Sequence, residues 1–103
     1  FRKILNLTKE LAIENGSNLY FVYLPSHNHF SKKNISNEIN QRGRVISLVN
    51  DLDIKLIDIN FEVRQKNLDF STLFPFGQPG HYNINGYNEI SKIIYDKTRK
   101  TND

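Results

Sequence analysis

The chain contains no cysteine and no methionine. The first absence excludes disulfides and thiolate chemistry but leaves the compartment open. The second, with a start at Phe1-Arg2-Lys3, suggests a processed or excised piece from which compartment signals have been cut away. No apolar run approaches the ~20 residues that cross a bilayer, so no transmembrane segment is expected. No glycine-rich phosphate loop occurs. A dense basic stripe with interleaved aromatics is missing too, which argues against nucleic acid as a partner. The net charge is only +3, and its one small cluster, Lys97, Arg99 and Lys100, suits the carboxyl end of a solvated helix.

What is present is ordinary for a folded domain. The 103 residues are 38% hydrophobic and 24% charged, enough for one domain or a piece of one. At this size folding buries roughly 60–70% of the surface of the unfolded chain, so the core is thin.

Apolar spacing at Ile4, Leu5, Leu7, Leu11 and Ala12 predicts a helix over Ile4–Asn15, with Gly16 where a carboxyl-terminal cap belongs. Leu19-Tyr20-Phe21-Val22-Tyr23-Leu24 is a continuous apolar run of the kind found in strands buried on both faces, and Pro25 ends it. Residues 26–37 read as a polar loop. A second helix is expected over Asn37–Leu52, weakened at Gly43, and a second strand over Ile54–Ile59. Strand, helix and strand in that order form a βαβ unit with parallel strands. Asn60–Gly80 is irregular, ending in Leu73-Phe74-Pro75-Phe76-Gly77-Gln78-Pro79-Gly80. The last helix runs from Ile84 to about Lys97. Asn83 is its N-cap, Tyr82 and Tyr87 are spaced as a hydrophobic staple, and Tyr87, Ile90, Ile93 and Ile94 form its packing stripe. The last four residues read as a frayed tail.

The expected fold is therefore α/β. Two parallel strands are fewer than an independent sheet normally needs. Further strands are expected from an absent N-terminal segment or from another chain.

Ligands of open α/β sheets collect at the carboxyl ends of the strands. The three histidines, His27, His29 and His81, all fall in the loops that start there. His27-x-His29 has the spacing of a metal pair, but no third ligand follows at a recognisable interval, and a zinc site needs three. No metal and no cofactor are expected. His27 and His29 are candidates for the mouth of a substrate site. Asp51, Asp53 and Asp58 read as a helix end and a strand end.

His81 carries the sharpest signal. The run Pro79-Gly80-His81-Tyr82-Asn83-Ile84-Asn85-Gly86-Tyr87 resembles the closing block of the SGNH (GDSL-like) hydrolase superfamily, in which a catalytic His precedes a helix and is followed by Asn, Gly and an aromatic residue. Leu19–Ser26 is similar to that family's late central strand, Ile54–Ile59 to its final strand, and Leu73–Gly77 to the segment before the His. The resemblance covers most of the chain. It implies a partial three-layer α/β/α, flavodoxin-like domain whose N-terminal strands lie outside these residues. It also implies a serine esterase or O-acyltransferase acting on acyl esters, with acylated carbohydrate of the cell envelope as a substrate class.

In that chemistry His81 is the general base. The family's usual Asp, three residues before the His, is here Gln78, which can accept a hydrogen bond but stabilises an imidazolium less than a carboxylate does. Asp69 or a main-chain carbonyl could orient the ring instead. The family's Gly-Asp-Ser block and its Gly and Asn oxyanion donors are not in the chain. None of Ser17, Ser26, Ser31, Ser36, Ser47, Ser71 and Ser91 sits in Gly-Asp-Ser or in a Gly-x-Ser-x-Gly elbow, and Ser26, after Pro25, reads as a turn residue. The alternative is a non-catalytic module of the same fold, kept for binding or assembly.

These residues alone should not turn over short acyl esters in a spectrophotometric assay. Turnover that disappears in His81→Ala would contradict this.

Overall fold

In the computed structural model, residues 1–30 and 36–99 are described, with the backbone alone at residue 29 and at 36–39. Helix α1 (Arg2–Glu14) leads into strand β1 (Tyr20–Tyr23) and a single helical turn α2 (His27–Phe30). Helix α3 (Ser36–Asp51), strand β2 (Lys55–Asp58) and helix α4 (Ile59–Gln65) follow. Two 3-10 turns (Phe70–Leu73 and Pro75–Gly77) then lead to the final helix α5 (Ile84–Arg99). No helix among the described residues is long and apolar enough to cross a membrane.

The α/β expectation holds. β1 and β2 pair in parallel, with Tyr20 opposite Lys55, Phe21 opposite Leu56, Val22 opposite Ile57 and Tyr23 opposite Asp58. Successive strand side chains point to opposite faces, so the continuous apolar run of β1 feeds two separate cores. Leu19, Phe21 and Leu56 pack on a cluster of Leu5, Val49 and Ile54, contributed mainly by α1 and α3. Tyr20 and Val22 pack instead on Ile57, Ile59, Val63, Leu73, Phe74, Tyr82, Ile90 and Ile93, contributed mainly by α4, α5 and the segment between them.

Three helices stop by the same device. After α1 the Gly16 N–H donates to the Ile13 carbonyl (3.1 Å) and the Ser17 N–H to the Ala12 carbonyl (2.8 Å), with Gly16 left-handed at φ 65°. This is a Schellman turn, as the sequence predicts for that glycine. α3 ends the same way with Asp53 in the left-handed position, and α4 with Asn67. Asp and Asn tolerate that conformation better than most residues, yet neither announces a helix end as glycine does.

The structure corrects two loop expectations. Of the stretch 26–37 expected as a loop, residues 27–30 and 36–37 are helical, and 31–35 lie outside the described residues. Asn60–Gly80 also opens with a full helix, α4. Its short periodic pattern was hidden because the buried face is only Ile59, Asn60 and Val63, one of which is polar. Asn60 is tolerated inside because its Oδ1 accepts from Arg64 Nε at 2.8 Å.

The N-terminus of α5 is built as its sequence predicts. Asn83 Oδ1 accepts from the Gly86 N–H (2.7 Å), and the Tyr82 and Tyr87 rings meet with centroids 5.8 Å apart. Gly86 is buried there. A Cβ on it would press on the Leu73 carbonyl oxygen and stand 3.0 Å from Tyr82 Cδ1, closer than carbon atoms pack. Gly43, in α3, has open space where its Cβ would be. Gly86→Ala should therefore lose at least ~1 kcal/mol to overpacking, whereas Gly43→Ala should gain up to ~1 kcal/mol from helix propensity. Urea denaturation of the two variants tests this, and equal effects at both positions would contradict the packing described.

Candidate functional site at the carboxyl ends of the strands

β1 runs out at Tyr23 into Leu24, Pro25 and α2, and β2 runs out at Asp58 into α4, so both carboxyl ends open on the same rim. The segment from Leu73 to Asn83 crosses that rim as a strap fastened at several points. The buried Tyr82 hydroxyl donates to the carbonyl oxygen of Pro25, 57 residues away and just past the end of β1. His27 Nε2 donates to the Gly77 carbonyl at 2.9 Å. The Asn83 N–H donates to the Leu73 carbonyl (2.9 Å), and its side-chain Nδ2 to the Thr72 carbonyl (3.0 Å). The Phe74 and Tyr82 rings stack at 4.5 Å between centroids, and Phe74, with 1% of its surface exposed, anchors the middle of the strap in the core.

His81 lies on this strap, immediately before the pinned Tyr82 and three residues ahead of α5. It is exposed. No hydrogen bond, ion pair or ring contact engages its imidazole among the described residues. The flanking backbone is fixed on one side by Tyr82 and Asn83, while Gly80, at φ 145°, adopts a conformation that a side chain would disfavour.

The other candidates make no described contact with its ring. Gln78 is exposed and ends the Pro75–Gly77 turn, where its main-chain N–H donates to the Pro75 carbonyl. Asp69 caps the preceding turn, its Oδ1 accepting from the Ser71 N–H (3.0 Å) and the Ser71 hydroxyl (2.8 Å). No hydrogen bond joins either to His81.

His27 is drawn into the fold rather than left open to a ligand. Besides its bond to Gly77, its ring packs edge-on against Phe70 and Phe74, with centroids 5.6 and 5.0 Å away, and its Nδ1 is buried without a partner among the described residues. It acts as a brace under the strap. The side chain of His29 lies outside the described residues. Among those described, no three His, Cys, Asp or Glu side chains gather in a way that could hold a metal ion.

Two features were not foreseen from the sequence. Phe76 is 98% exposed and holds a left-handed backbone at φ 55°, followed at once by Gly77 at φ 66°. Such a conformation is a true outlier for a bulky residue, and here it turns an aromatic ring outward on the His81 strap. The Pro-Phe-Gly order was a usable signal, because proline opens a turn and glycine accepts positive φ. The second is an ion pair between Arg42 of α3 and Asp58 at the end of β2, which the sequence could not reveal because the partners lie 16 residues apart in different elements.

Comparison of the chain with protein-family models, with curated proteins and with solved structures returns no match.

Burial raises the pKa of the Tyr82 hydroxyl above its ordinary value of about 10, with the neighbouring Tyr87 adding to the shift. A proton held more tightly in the folded state gives stability that is intact below about pH 10 and is lost as pH rises beyond it. Tyr82→Phe should lose ~1–3 kcal/mol at pH 7, because the Pro25 carbonyl keeps its burial and loses its donor. The same variant should show a shallower fall in stability above pH 10. Urea titrations at pH 7 and pH 10.5 read both effects, and an unchanged midpoint at pH 7 would show that the strap is not fastened there.

Proposed function

We propose that the chain is the His-bearing closing part of an SGNH-type serine esterase or O-acyltransferase domain, with His81 as its general base. The substrate class is an acyl ester, with acylated carbohydrate of the cell envelope as the form the resemblance suggests. The domain would be flavodoxin-like, and the two cores on opposite faces of β1 and β2 agree with a three-layer arrangement. The single observation that carries the reading is the position of His81, exposed and unengaged on a strap pinned across the carboxyl end of β1.

In this reading the nucleophilic serine and the oxyanion donors come from outside these 103 residues. The His81 imidazole accepts the serine proton as the hydroxyl attacks the acyl carbonyl, and then returns it to the departing alkoxide. For transfer rather than hydrolysis, the same ring takes the proton from an acceptor hydroxyl. Gln78 stands at the position of the usual carboxylate and gives His81 no charge to lean on. That same observation favours a second reading, a non-catalytic module of this fold kept for binding or assembly.

A serine-directed phosphonate separates the two. Under the enzyme reading, the polypeptide encoded by the whole gene is labelled on one serine, and His81→Ala slows labelling by about a hundredfold or more, the range of a lost general base. No labelling of the well-folded whole polypeptide would leave only the binding module.

A further inference from the structure

We infer that the outer face of α1 is a self-complementary interface, on which a second copy of the chain lays its own α1 antiparallel about a two-fold axis. The inference is independent of the hydrolase reading, which phosphonate labelling tests separately.

Contacts within the chain fix which way α1 faces. Leu5 is buried in the core beside Val49 and Ile54. Arg2 pairs with Asp51 (3.7 Å) and Lys9 Nζ donates to the Leu52 carbonyl (2.6 Å), so the face bearing residues 2 and 9 looks toward the end of α3. Ile4, Leu7 and Leu11 follow i, i+3, i+7 spacing, and at 3.6 residues per turn they stand about half a turn round from Arg2 and Lys9. They form an apolar stripe directed away from the rest of the fold, and each is more than half exposed. A contiguous apolar stripe left open on a helix is a mark of an interaction surface.

The charges beside the stripe say what covers it. Lys3, Glu10 and Glu14 are exposed and form no ion pair among the described residues. At about 100° per residue they lie within roughly 40° of one another, along one flank of the stripe. The positive charge stands at the start of that flank and the two negative charges at its end. The opposite flank carries Thr8 and Asn15, both uncharged.

A two-fold axis between antiparallel helices brings like flank against like flank, since both copies use the same patch. Centring the axis on the stripe sets Ile4 of each copy level with Leu11 of the other. Lys3 then falls between Glu10 and Glu14 of the other copy, roughly 3 Å along the helix axis from the level of each. Parallel pairing would instead put Lys3 against Lys3 and Glu10 against Glu10. Exposed ion pairs add little affinity, so the charges select the direction and the apolar stripe supplies the binding. Such a contact uses the patch on both copies and closes at two.

Sedimentation equilibrium on the polypeptide encoded by the whole gene tests the assignment, and a reversible monomer–dimer equilibrium is expected. Leu7→Ser with Leu11→Ser, at positions exposed in the single chain, should weaken the dimer about a hundredfold or more. Lys3→Glu should weaken it about tenfold, because attraction becomes repulsion at both symmetric contacts. Lys3→Glu combined with Glu10→Lys and Glu14→Lys should restore it, since the two ends of the flank merely exchange sign. A monomer at every concentration would overturn the proposal, whether the remainder of the polypeptide covers the stripe or nothing does. A dimer indifferent to the leucine changes would overturn it too, as would a charge exchange that leaves the dimer as weak as Lys3→Glu alone.

Discussion

The hydrogen bond from the Tyr82 hydroxyl to the Pro25 carbonyl holds together the rim at the carboxyl ends of the strands. Pro25 lies just past the end of β1 and Tyr82 just before α5, so one contact joins the sheet to the last helix across 57 residues of sequence. Its strength depends on burial. A phenol and a carbonyl sealed from water by Phe74 cannot exchange partners with solvent, so breaking the contact leaves two unsatisfied groups. The His27–Gly77 bond and the Asn83 bonds to the 72–73 carbonyls fasten the remainder of the strap. His81 takes its position from these contacts, and its ring makes none of its own among the described residues.

That division of labour explains what the sequence could and could not reveal. Local chemistry was legible. Gly16 ends α1 by a Schellman turn, Asn83 caps α5, and the Tyr82–Tyr87 spacing becomes a ring contact, because each depends on residues within one turn of each other. The parallel pairing of the two strands was legible from the order strand, helix, strand. α4 was not, since its inner face is three residues long and includes Asn60. The roles of His27 and of the Tyr82 hydroxyl were hidden for another reason. Their partners are main-chain carbonyls 50 and 57 residues away, and a carbonyl leaves no mark on sequence.

Polar loop residues here divide into braces and a remainder. His27, Asp69 and Asn83 hold turns, and Asp58 pairs with Arg42. Among the described residues His81 has no such duty, and Phe76, strained and exposed, has none either. Strain of that kind persists where surrounding structure imposes it, and it concentrates at sites of function. Of these features, the hydrolase proposal stands on the position of His81 on the fastened strap.

The most direct test of this account is the relative reactivity of two histidines toward diethyl pyrocarbonate, resolved by tandem mass spectrometry of the folded chain. His81, exposed on the strap, should be the more readily acylated of the two. His27, with Nε2 bonded to Gly77 and its ring against two phenylalanines, should react at least about tenfold more slowly, as expected for a nitrogen reached only through local opening. Equal rates, or a His81 slower than His27, would contradict a strap that is braced from beneath by one ring and displays the other.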